Sequence, residues 1–220
     1  VIPMDGCYQG DAAVTPTACT TRDPGNVIQA YGLVYQLIRN NIPVYWVIRQ
    51  DKASLTDVDL TVQLDGGLPV GVYTWSTGAV GGMPPNNANP VNYRGGPFVV
   101  DASDAAAARA LFQTGNASTP ALKTLYSAVK VHVAQVAFQG YAAKTFAGGW
   151  NAGGAVAPKL ALLNIPGGDG RYADHVLEGY LVRAALAPAC VLNNPPCADG
   201  SAGTASPTGH PAVVISQALT

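Results

Sequence analysis

The chain has 220 residues, with 12 Lys plus Arg against 13 Asp plus Glu, a formal net charge of -1 and only 11% charged residues. So small a positive charge leaves no basic face to neutralise a nucleic-acid backbone, which excludes nucleic acid as an expected partner. No apolar run approaches the roughly 20 residues of a membrane-spanning helix, and the length suffices for a core that does not depend on cross-links.

The chain opens at Val1 without a charged or apolar leader region, as expected of a mature protein after signal removal or of a trimmed chain. Cys7 and Cys19 bracket one short stretch and Cys190 and Cys197 another, with no cysteine between. In a chain of few charges and many small residues, this pattern predicts two local disulfides and a secreted or cell-surface location. Asp23 and Pro24 then form a helix-start signal, a carboxylate that caps free amides followed by the residue suited to the first helical position. The helix should run to about Asn40, with apolar residues on more than one face. Residues 42–48 are a continuous β-branched and aromatic run, predicting a strand buried on both faces with Tyr45 and Trp46 in the core.

Further strands are expected at 59–64, 72–75 and 97–101, the last leading into a helix over 103–112. Thr119 and Pro120 repeat the cap-plus-proline signal before a shorter helix, and 129–138 reads as a long strand with partial alternation. Residues 159–164 read as a buried strand, 167–170 as a glycine loop, and 171–186 as an amphipathic helix. Alternating strands and helices predict an α/β fold with three layers: a mostly parallel sheet, helices on both faces and right-handed crossovers. Residues 1–197 are expected to form one domain with disulfide-clipped ends.

Two Gly-rich loops, 78–92 and 148–154, are expected at the surface. The tail, 198–220, is small and polar and ends in a strand-like apolar run over 211–215. Such an arm either pairs with another molecule or folds back on its own sheet.

Candidate chemistry centres on the loop Asn164-Ile165-Pro166-Gly167-Gly168-Asp169-Gly170-Arg171. It leaves the carboxyl end of a predicted strand and opens a helix, the position where open α/β sheets bind ligands. Asn164, Gly167, Gly168, Asp169 and Arg171 are therefore candidate ligand-binding residues, with free amides suited to a carboxylate or phosphate. The alternative is a tight turn capped by Asp169. Trp150 joins the candidates; like Tyr73 and Trp75 it is an aromatic in or near a Gly-rich loop that stacks on a sugar, packs against another subunit, or folds inward as an anchor. His132, His175 and His210 are scattered, and no metal-ligand spacing occurs. Asp51, Asp57, Asp59 and Asp65 lack EF-hand spacing and read as turn and strand-edge residues. Neither Gly-x-Ser-x-Gly nor a Cys near a His is present, so no catalytic residue, metal or cofactor is expected. Asn116-Ala117-Ser118 is a single glycosylation sequon.

The segment Pro158-Lys159-Leu160-Ala161-Leu162-Leu163-Asn164, its glycine loop and the helix ending Tyr180-Leu181-Val182-Arg183-Ala184-Ala185-Leu186 resemble the opening unit of a class I glutamine amidotransferase-like, flavodoxin-like domain. Ala30-Tyr31-Gly32-Leu33-Val34-Tyr35 with Asn41-Ile42-Pro43-Val44-Tyr45-Trp46 is similar to uncharacterised secreted bacterial proteins of that group. The resemblance covers about a third of the chain and implies a three-layer α/β fold. It carries no active site, because the family's elbow cysteine and its His-x-Glu pair are absent. The leading expectation is a non-catalytic extracellular module that assembles with itself or a surface partner. The alternatives are a secreted hydrolase-like enzyme with its site at the carboxyl edge of the sheet, using Asn164, Asp169, Arg171 or His175, and a small-ligand or glycan-binding protein.

Overall fold

The computed structural model describes residues 1–10, 26–54, 56–82, 84, 89–117, 119–147 and 184. The chain divides into two compact units, Val1–Ala155 and Val156–Thr220, and every described helix and strand belongs to the first.

A single turn of helix, α1 (Gly6–Gln9), starts where the Asp5 carboxylate accepts the Tyr8 amide at 3.0 Å. The first long helix, α2 (Val27–Arg39), buries Ala30, Leu33, Val34, Leu37 and Ile38, a spacing of three and four that puts one stripe against the core. It ends where Asn41 takes a left-handed φ of 61°, with the Asn41 and Ile42 amides donating back to Ile38 and Leu37. Asn26 precedes the helix without capping it by its side chain; its Nδ2 donates instead to the carbonyls of Gln9 and Ala128. Asp23 and Pro24, the expected start signal, lie outside the described residues.

The tight turn after α2 delivers β1 (Val44–Val47), the middle of a three-stranded sheet. Its neighbours are β6 (Phe98–Val99) and β8 (Ala142–Phe146), with Tyr45 opposite Val99 and Thr145, and Val47 opposite Ala142. The two-residue pleat sends Val44 and Trp46 to one face and Tyr45 and Val47 to the other. On the first face α2 lies against β1, Tyr31 meets the Phe98 ring edge-on at 5.9 Å, and Trp46 stacks on Phe98 at 6.0 Å.

A second sheet pairs β2 (Leu60–Val62) with β5 (Val91–Tyr93). Leu60, Val62, Val91 and Tyr93 point inward, while Thr61 donates to the Asn92 side chain at 2.8 Å on the outer face. A third sheet runs β4 (Val80–Gly81), β3 (Val70–Tyr73), β7 (His132–Ala134). Its β3–β4 hairpin closes by Thr74–Ala79 and Gly78–Thr74 backbone bonds, with Gly78 at a φ of 72° that few side chains tolerate. Tyr8, Val47, Leu60, Val62, Val70, Val91 and Tyr93 form the apolar cluster where α1 and strands of all three sheets meet. The remaining helices are α3 (Ala105–Gln113), which follows a short 3-10 turn over Ala102–Asp104, and α4 (Lys123–Tyr126).

This architecture overturns the expected fold class. Every described strand pairing is antiparallel and the strands fall into three small sheets, so the unit is neither a mostly parallel three-layer α/β sandwich nor flavodoxin-like. The physical reason lies in the connections. A parallel crossover usually carries a helix of its own, yet β2, β3 and β4 follow one another through turns and loops, which favour antiparallel pairing. The long strand expected over 129–138 shortens to β7, and three unforeseen strands appear: β4 within the expected 78–92 loop, β5 at its end, and β8.

Of the four cysteines only Cys7 is described; it is disulfide-bonded, and no free cysteine occurs among the described residues. The two expected clips, Cys7–Cys19 and Cys190–Cys197, are not part of the described structure, where no disulfide joins two described residues. Cys19, Cys190 and Cys197 lie outside it.

Candidate functional site

The face of the first sheet that carries Tyr45 and Val47 does not close on a full apolar layer. Opposite it stands α3, whose positions 105, 108, 109 and 112 recur at helical spacing on one side. Two of those positions are alanine, which leaves space between helix and sheet. The result is a cleft of about 630 Å³, within the roughly 300–1,000 Å³ range of small-molecule sites. Val47, Val99, Ala105, Ala108, Phe112 and Phe138 are among its apolar walls, and Val131–Ala137 of β7 and its continuation line another side.

Three lining groups give the cleft its chemistry. The Arg109 guanidinium is exposed on α3 and has no hydrogen-bond or ion-pair partner among the described residues. Tyr45 is half-buried, and its hydroxyl likewise has no partner among them. Asp101, by contrast, is engaged: its Oδ1 accepts the Ser103 amide at 2.9 Å and the Ser103 hydroxyl at 2.7 Å. Those two bonds hold its carboxyl below the usual range, so it stays ionised as the cap of the 3-10 turn.

Two other polar centres lie in the same unit. Asp59, fully buried, accepts the Arg49 amide at 3.1 Å and the Gly96 amide at 2.9 Å, and pairs with the Lys52 ammonium at 2.9 Å. Around it Asp57 accepts the Ala53 and Ser54 amides, Arg49 pairs with Asp51 at 2.8 Å, and Arg94 Nε donates to the Thr56 carbonyl. This knot pins the 49–59 loop to the start of β6. Next to it Trp46 Nε1 donates to the Gly96 carbonyl at 3.0 Å; a Cβ at Gly96 would stand 2.5 Å from that nitrogen, and its φ is 70°.

The second centre is aromatic. Tyr8, Tyr93 and His132 pack with ring centroids 5.2–5.6 Å apart, and the Tyr93 hydroxyl shares a hydrogen bond of 2.9 Å with His132 Nδ1. Burial pushes the His132 imidazole down to about 3 and the Tyr8 phenol up to about 12, so all three rings are neutral at pH 7. His132 Nε2 and the Tyr8 hydroxyl have no hydrogen-bond partner among the described residues.

The sequence candidates fall unevenly on this framework. Trp150, Asn164, Gly167, Gly168, Asp169 and Arg171 all lie outside the described residues, as do His175 and His210. Tyr73 and Trp75 fold inward at 3% and 7% exposure, with Trp75 Nε1 donating to the Val129 carbonyl, so they are anchors and not exposed stacking surfaces. Tyr45 and Trp46 are half-buried on opposite faces of β1. The Asn116 amide is committed to its turn, donating to Asn40 Oδ1 and accepting the Thr119 amide. Asp51 and Asp57 are loop-closing residues as expected, whereas Asp59 is a buried hub. Among the described residues no group of acidic, His or Cys side chains is placed to hold a metal, and no helix is long and apolar enough to cross a membrane.

Sequence reading missed Arg109 and the cleft. The signal was present in Ala105-Ala106-Ala107-Ala108-Arg109-Ala110, a helix that is almost all methyl groups with one cation. No family model, curated protein or solved structure matches the chain, so nothing in these comparisons bears on the amidotransferase-like resemblance.

Proposed function

We propose that this chain is an extracellular binding module whose first unit seats a small, largely apolar ligand in the cleft between α3 and the first sheet. One observation carries the reading: the cleft keeps an apolar floor together with Arg109 and Tyr45, neither of which has a polar partner among the described residues. Well-formed apolar pockets with a few convergent polar groups are the usual form of small-ligand sites. The extracellular placement rests on the low charge and the cysteine pattern.

The test is saturable binding of the apolar dye 8-anilinonaphthalene-1-sulfonate to the full chain, followed by fluorescence. Ala105→Trp and Ala142→Trp fill the cleft from opposite walls, and each is expected to abolish the signal while retaining the circular dichroism of the parent. Undiminished dye binding in both folded variants would overturn the reading.

Self-assembly is a second reading, favoured by β8. Among the described residues it is bonded on one side only, with Ala142, Ala143, Lys144 and Thr145 exposed. A bare strand edge is a template for another strand. Light scattering of the full chain is expected to show oligomers that Thr145→Pro dissociates; a monomer at all concentrations would remove this reading.

A further inference from the structure

We infer that the ligand of this cleft is a monocarboxylate with an apolar body, its carboxylate bound by Arg109; the inference rests on the cleft being a ligand seat. Only two lining side chains, Asp101 and Arg109, are charged at neutral pH. They are not equivalent. The Asp101 charge is met by the Ser103 amide and hydroxyl at the start of the 3-10 turn, whereas the Arg109 charge has no described counterpart. An entering ligand therefore meets one uncompensated cation at the edge of an apolar bed.

A guanidinium offers a planar fork of N–H donors that matches a carboxylate with two parallel bonds, and the match strengthens when the rest of the ligand excludes water. The Tyr45 hydroxyl, which also lines the cleft and has no partner among the described residues, supplies a further donor from the facing sheet. The other chemistries fit less well. A phosphate monoester or nucleotide brings more negative charge than one arginine compensates, and Asp101 repels the excess. A sugar needs several polar partners, yet the walls are largely Val, Ala and Phe. An apolar chain or ring ending in one carboxylate uses both the floor and the cation.

Decanoate and decanol share a body and differ in the head, so they separate this inference from the reading beneath it. Calorimetric titration of the full chain is expected to show decanoate binding at least about tenfold tighter than decanol, an increment of the size a charge-assisted pair supplies. Arg109→Gln should remove that advantage while leaving decanol unchanged, and Arg109→Lys should restore part of it. Equal binding of the two probes by the parent protein would overturn the carboxylate inference and leave the cleft reading standing. Binding of neither probe would overturn both. A decanoate preference that survives in Arg109→Gln would overturn the assignment to Arg109.

Discussion

The 49–59 knot and the α3 cleft lie in the same unit and are built from the same kinds of group, yet they treat charge in opposite ways. At the knot, Asp59 is fully buried and receives two amides and an ammonium, so its charge is compensated by its own chain. At the cleft, Arg109 and Tyr45 face open space without a described partner. A buried carboxylate left unpaired costs several kcal/mol, so a chain that buries one must surround it with donors. A half-solvated guanidinium carries no such compulsion, and its freedom is compatible with a role outside folding. The comparison teaches that the completeness of a polar group's partners, more than its charge, separates structural from functional candidates here.

The largest effect should come from breaking the knot. Asp59→Ala removes the carboxylate from the Lys52 ammonium and from two amides, and is expected to lower stability by about 3–5 kcal/mol in urea melts. A loss under about 1 kcal/mol would mean that the loop is held by something else. Acidification attacks the closed side through His132. Its folded ring resists protonation down to about pH 3, while the unfolded ring takes a proton near 6.5, so the unfolded state binds more protons between these values. That contribution is fully present above about pH 6.5 and is lost as pH falls toward 3. His132→Asn should flatten the acid-side decline in thermal melts. Asp5, raised by burial, acts with the opposite sign around its own range.

Smaller effects sharpen the contrast. Gly96→Ala forces a side chain into a left-handed backbone and against Trp46 Nε1, and should cost about 1–3 kcal/mol, read as a lowered Tm. Arg109→Gln should leave stability within about 0.5 kcal/mol, because no partner among the described residues is lost. A stability loss of 2 kcal/mol in that variant would place Arg109 with the knot and erase the distinction.

Several elements were legible in the sequence because local signals and packing agree. The 3.6-residue stripe of α2, the β-branched run of β1 and the strand-then-helix passage into α3 all appear within a few residues of their expected positions. Strand direction was not legible. A short strand carries no mark of whether its neighbour runs parallel or antiparallel, and the alternation of strands with helices suggested crossovers that the loops between β2 and β4 do not contain. The strand β8 was missed because Ala-Ala-Lys-Thr-Phe has low strand propensity and is fixed by its pairing with β1. Asp59 looked like a turn residue because its partners, at 49, 52 and 96, come together only in the fold. The cleft was hidden for a related reason: a helix of alanines reads as helix propensity, and only its placement against Tyr45 and Val47 turns missing side-chain volume into a site.

The most direct measurement is methyl chemical-shift mapping of the full chain during titration with decanoate. The account predicts saturable shifts concentrated on Val47, Val99, Ala105 and Ala108, with the Arg109 side chain responding and the methyls of the 49–59 loop unmoved. Shifts confined to other surfaces, or none at saturating ligand, would contradict it.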